Sequence, residues 1–180
     1  IMAITINGNG TVTGISTGGL PDGCVDADTL ASGTALSWTT TSASNANGNS
    51  NVDISGIPST AVIVVVHFVG VSTASNSSIY FRVGTSSGFI ESGDKYDYSS
   101  LSQNQAGSSS TDQNDNKIRL FRADSDASSV RHGQITLLKA GDNYWTFNHT
   151  GGNDGNQAGY STSSGAIEVG AALTQVRTLC

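Results

Sequence analysis

Hydrophobic and polar residues alternate in short runs of period two along most of this 180-residue chain. That period suits strands whose side chains point to opposite faces. At the start, "AITINGNGTVTGI" (3–15) spaces Ile4, Ile6, Val12 and Ile15 with polar or glycine positions. This predicts two short strands joined through Asn-Gly, a pair that tolerates positive φ. "STGGLPDG" is turn chemistry, and "CVDADTLAS" (24–32) admits a short helical turn capped by Asp26. Further on, "TALSWTTTS" is a mixed strand pattern, "NANGNSN" a loop and "VDISGI" a strand. "AVIVVVHFVGV" (61–71) is an unbroken run of β-branched residues, which predicts a strand buried on both faces or an intersubunit contact. "SIYFRVGTSSGFI" puts Ile79, Phe81 and Val83 on one side and Tyr80 and Arg82 on the other.

Glu91 to Asn116 is rich in Ser, Gln, Asn and Asp, with Leu101 its one large aliphatic, and reads as a long functional loop. Strands resume at "KIRLFRA", "VRHGQITLLKA" and "NYWTFNHT". "GGNDGNQAGYSTSSG" reads as a polar connection, and "AIEVG" and "LTQVRTL" close the chain. About eight short strands separated by turns predict an all-β fold, an antiparallel, jelly-roll-like β-sandwich over 34–180. Residues 1–33 then form a glycine-rich N-terminal attachment segment, with Ile4, Ile6, Val12, Ile15 and Leu20 as its few anchoring side chains. So little apolar surface cannot offset the ordering entropy of such a segment unless a partner takes it up.

Composition narrows the function. Charged residues are 12% of the chain, against about 25% in an average domain. Serine and threonine supply about a quarter, so the surface hydrogen-bonds through hydroxyls and amides. A net charge of −6 and no basic cluster argue against nucleic acid as a partner. The apolar run at 61–71 is too short for the roughly 20 residues of a membrane helix, so no membrane insertion is expected. "IMAITING" lacks the basic and apolar regions of a signal peptide. Cys24 and Cys180 are far apart and read as free thiols.

Catalytic chemistry finds no foothold. His67, His132 and His149 are scattered without zinc spacing, so no metal site is assigned to them. Asp124, Asp126 and Asp154 lie in acidic loops that could offer oxygens to calcium but read better as turn residues, and no cofactor is expected. Glu91 and Glu168, the two glutamates, would be the pair for a polysaccharide-degrading enzyme, yet both sit in turn or strand-surface contexts. With no nucleophile, base and orienting group together, the chain reads as a binding protein and not an enzyme. Aromatic faces beside amides suit sugars. Tyr96, Tyr98, Asn104 and Asp115 in the 91–116 stretch, with Asn153 and Tyr160 in the later polar connection, are the candidate ligand-binding residues. Tyr144 stands beside a polar loop as well, whereas Trp145 and Phe147 alternate as core residues do.

The opening "MAITINGNGTVTGISTGGLPDGCVDADTLA" resembles the N-terminal segment of tail-fibre and related structural proteins of tailed bacteriophages. "DISGIPSTAVIVVVHFVGVST", "VGTSSGFIESG" and "AIEVGAALTQVR" are similar to the β-rich C-terminal domain of such fibres. The resemblance implies a virion protein: a tail fibre or fibre tip attached through its N-terminus to other tail or capsid proteins. It implies a homotrimer that binds a host-surface glycan or receptor through its loops. A capsid decoration protein or head fibre is the alternative placement. Fibres of this kind run one strand past "TQVR", so an end at Cys180 implies an unpaired edge there.

Overall fold

A computed structural model describes residues 5–6, 12–13, 39–42, 44, 48–73, 77–92, 95–113, 116–123, 129–154 and 158–179. The helical turn expected at 24–32, both cysteines, Ile4, Ile15, Leu20, Asp115, Asp124 and Asp126 lie outside these residues. The chain divides into two units, Ile1–Ser42 and Ala43–Cys180, a boundary nine residues beyond the one drawn from composition (42 − 33). In the first unit, β1 (Thr5–Ile6) pairs antiparallel with β2 (Val12–Thr13), in register Thr5↔Thr13 and Ile6↔Val12, as the Asn-Gly spacing predicts.

The second unit is all-β among its described residues, with two antiparallel sheets in a sandwich-like arrangement. In chain order its strands are β3 (Asn51–Ser55), β4 (Ile63–Val71), β5 (Ile79–Thr85), β6 (Gly88–Phe89), β7 (Tyr96–Asn104), β8 (Ser109–Asp112) and β9 (Ile118–Phe121). They are followed by β10 (Arg131–Lys139), β11 (Tyr144–Asn153), β12 (Gly159–Glu168) and β13 (Gln175–Leu179). One sheet runs β4-β10-β11-β12-β7-β8; the other runs β3-β13-β5-β6, with β9 also on β5. The core between them is built from alternate positions: Ile79, Phe81 and Val83 of β5, Ile135 and Leu137 of β10, Trp145 and Phe147 of β11. The alternations of β5 and β11 are those expected from sequence.

Three expectations are corrected. The doubly apolar β4 is not central but an edge of the six-stranded sheet. Val66 and Phe68 face the core while Ile63 and Val69 are exposed, Val69 at 79%. Its regular pairing ends in a bulge near Gly70, whose φ of 70° a side chain would resist. Second, the 91–116 stretch is not a loop but the hairpin β7–β8, and half of "GGNDGNQAGYSTSSG" belongs to β12. Third, β13 has β3 on one side and β5 on the other, so no edge is left open at "TQVR".

The β7 error has a physical cause in β9. All four residues of β9 are buried, and a buried backbone must find hydrogen-bond partners. The facing sheet supplies them as hydroxyls. Arg119 N donates to Tyr98 Oη at 3.0 Å; Ser163 Oγ donates to Arg119 O at 2.9 Å, and Ser161 Oγ to Leu120 O at 2.5 Å. Ser102 Oγ extends this chain to Ser161 Oγ at 2.9 Å. Inward positions of β7 from Tyr96 to Ser102, and of β12 at Ser161 and Ser163, are therefore serine and tyrosine, and hydrophobic alternation vanishes from the sequence there.

Phe121, at the end of β9, needs room of another kind. Its ring meets Phe68 and His149 edge-on, at 6.2 and 5.0 Å between centroids. Beneath it, paired Gly133 and Gly151 form a floor; a Cβ on Gly151 would stand 2.6 Å from Phe121 Cζ.

Tyr98→Phe strands the buried Arg119 N–H and should cost about 1–3 kcal/mol in urea unfolding. Gly151→Ala, which overpacks the Phe121 seat, should cost a similar amount, about 1–3 kcal/mol. An unchanged midpoint for Tyr98→Phe would show that the amide has a second acceptor.

Candidate binding surface

The six-stranded sheet turns one face to the core and presents the other outward. Along β11, Thr146, Asn148 and Thr150 are exposed between buried Trp145, Phe147 and His149. Along β12, Tyr160, Thr162 and Ser164 alternate with buried Ser161 and Ser163. Register aligns these into rows across the sheet. One row is Thr136–Asn148–Ser164–Ser99, the next Gln134–Thr150–Thr162–Leu101–Thr111. From β10 to β8 both rows consist of hydroxyls and amides apart from Leu101; on the β4 side they begin at Val65, opposite Thr136, and at exposed His67, opposite Gln134. Among the described strand residues, carboxylates on this face lie toward one end, at Asp97 and Glu168, and Glu168 is held 2.7 Å from Lys95.

Two half-exposed tyrosines mark the ends of the strip. Tyr144, 53% exposed, begins β11, and Tyr160, 50% exposed, stands opposite Gly152 near its end. Tyr160 Oη donates to Gln103 Oε1 at 2.8 Å, which pins the ring over β7.

The same end of the sandwich brings predicted residues together. Register places Arg131, Asn153, Gly159 and Asn104 in one row on adjoining strands. Asn104, Asn153 and Tyr160 thus line a single cleft with Gln103, Arg122 and Arg131. Its volume is about 30 Å³, room for water and not for a sugar ring. Arg131 is buried, and its guanidinium donates to Thr73 Oγ1 at 3.4 Å and to Arg122 O at 3.5 Å. Asn153 Nδ2 donates to Ser129 Oγ at 3.4 Å, and Asn104 Oδ1 accepts Ser108 N at 2.8 Å. The cleft is a tied-off end of the core.

Tyr96 and Tyr98 are not surface residues, contrary to the sequence reading. Both are 3% exposed and reach across the core: Tyr96 Oη accepts Val83 N at 3.1 Å and donates to Ile90 O at 3.2 Å. Burial raises the Tyr96 phenol to about 12 and pushes Tyr98 up too, so neither ionises near neutrality. The glutamates are engaged separately. Glu91 pairs with Arg82 at 2.7 Å, and Arg177 lies 3.9 Å from it. Asp154 holds a turn, its Oδ1 accepting Val130 N at 2.8 Å. Among the described residues no cluster of three His, Cys, Asp or Glu could hold a metal. Nor is any described helix long and apolar enough to cross a membrane. Asp53, on the other sheet, is lowered by its bidentate hydrogen bonds from Arg177 at 2.6 and 2.7 Å.

His67 is exposed on β4, so it is not a core residue of this chain. His132 is exposed and accepts Gly70 N at 3.3 Å. His149 is the buried one, and its surroundings fix its state. The one proton of Ser163 goes to Arg119 O, so the 3.2 Å contact to His149 Nδ1 requires Nδ1 to be the donor. Nε2 carries the lone pair and has no hydrogen-bond partner. Burial lowers this imidazole to about 4.

The unfolded chain, with histidine near 6.5, takes up a proton that native His149 refuses. Stability contributed in this way is intact above pH 6.5 and is lost as pH falls toward 4, by about 3 kcal/mol in all. His149→Leu should flatten the pH dependence in that window, measured by urea unfolding at pH 7, 5.5 and 4. Equal slopes in both proteins would show that His149 accepts the proton while folded.

No family model matches the chain, and no curated protein or solved structure matches it.

Proposed function

We propose that this chain is a structural protein of a tailed bacteriophage, a tail fibre or fibre tip. Its N-terminal residues attach it to the tail or capsid, and its β unit binds the host surface. The observation that carries the adhesive role is the uncharged middle of the outward face of the six-stranded sheet, where Ser, Thr, Asn and Gln side chains of β10, β11, β12 and β7 stand in adjoining rows. Such a face makes many individually weak hydrogen bonds, which repeated copies on a particle multiply into avidity. The virion setting rests on the resemblance of the quoted segments. The two-residue strands β1 and β2 suit attachment by backbone pairing with another virion protein.

The protein is proposed to act as a homotrimer, with β4 as the subunit contact. Edge strands of monomers are commonly blunted by charge or proline. Neither occurs between Ile63 and Val71, where Ile63 and Val69 lie open, as does Leu138 on the neighbouring β10.

Light scattering on the full chain should give the mass of three copies. Val69→Lys, a change at an exposed position, should yield single copies with an unchanged β circular-dichroism spectrum. A one-copy mass for the unaltered protein would end the trimer proposal. For the adhesive role, the purified protein should block adsorption of particles that carry it to cells on which they plaque. Undiminished adsorption at saturating protein would refute that role.

A further inference from the structure

We infer that the outward strip along β11 and β12, between Tyr144 and Tyr160, is the binding site for an extended, uncharged polysaccharide. This rests on the adhesive reading of the β unit and narrows it to one ligand chemistry and one strip.

Charge selects the class. The middle rows of the strip carry no charged side chain, and the chain as a whole is at −6. An acidic glycan or a phosphate-rich polymer would find no cation there to offset its desolvation and would meet net repulsion. A protein partner would need an apolar centre, and these rows are apolar only at their margins, at Val65 on β4 and Leu101 on β7. Hydroxyls and primary amides both donate and accept, as sugar hydroxyls do, so they can follow a neutral glycan without a fixed proton pattern. Thr162 already donates to His149 O at 3.0 Å, which leaves its oxygen facing outward as an acceptor.

Geometry selects an extended chain. Tyr144 and Tyr160 are separated by eight residues of strand, about 27 Å at about 3.4 Å per residue. That span exceeds a single sugar and suits a run of several. The half-exposed rings give the apolar faces of sugar rings a flat surface at each end, and the Gln103 bond holds the second ring in place before binding. The cleft beside Asn104 and Asn153 is too small to compete for this role.

The test uses polysaccharide extracted from cells that the labelled protein decorates, split by anion exchange into neutral and acidic fractions and cast into native gels. The neutral fraction should retard the full-length protein. Tyr144→Ala and Tyr160→Ala should each weaken retardation about tenfold, while Asn51→Ala on the opposite sheet should not. Both tyrosines are half-exposed, and matching unfolding midpoints would confirm intact variants. Retardation by the acidic fraction alone, by neither fraction, or equally by all variants overturns the inference while the adhesive reading stands. Failure to decorate any cell on which the particles plaque overturns the adhesive reading, and this inference with it.

Discussion

The β unit depends on how the short strand β9 is kept satisfied inside the core. A strand buried on every side costs more than it contributes unless each polar backbone group has a partner. Here β5 pairs with it across one register irregularity, and Tyr98, Ser161 and Ser163 reach from the facing sheet to Arg119 N, Leu120 O and Arg119 O. With the Tyr96 bond to Val83 N, these bonds tie two sheets that otherwise meet largely through dispersion and apolar burial. They are directional, so they fix the offset of one sheet over the other as well as its distance. The glycine floor under Phe121 works in the same direction, since the ring has a seat that no side-chain-bearing pair could provide.

Legibility in the sequence follows from this arrangement. Where the core is aliphatic or aromatic, as at Ile79-Phe81-Val83 or Trp145-Phe147, alternation located the strand and its inward face. Where the core is built from hydroxyls, as at Tyr98, Ser100 and Ser102 or Ser161 and Ser163, the pattern looked like a polar loop. The buried side of those strands is hydrogen-bonded rather than hydrophobic. The opposite failure occurred at β4, whose outward valines suggested a second buried face. Residue type alone cannot tell an exposed apolar edge from a central strand.

The candidate site was legible in kind rather than in place. Hydroxyl and amide richness pointed to a weakly polar binding surface, and Tyr160, Asn104 and Asn153 do converge at one end of the sandwich. The outward strip was missed because its members are spread over Thr136, Thr146, Asn148, Thr150 and Ser164, none distinctive alone. They become a surface only through the register of four strands. A usable signal was present in "NYWTFNHT" and "GYSTSSG", where every second residue between aromatic or small ones is polar and uncharged.

The scarcity of charge has a further consequence for resistance to proteolysis. Between Lys139 and Arg177 the chain contains no lysine or arginine, so trypsin-like proteases find no cleavage site within β11 or β12. The flanking cations are themselves restrained in strands, Lys139 closing β10 and Arg177 clamped to Asp53 in the middle of β13. The two strands carrying the outward strip thus form a segment that a common class of digestive enzyme cannot open, a durability that follows from side-chain chemistry before folding stability is counted.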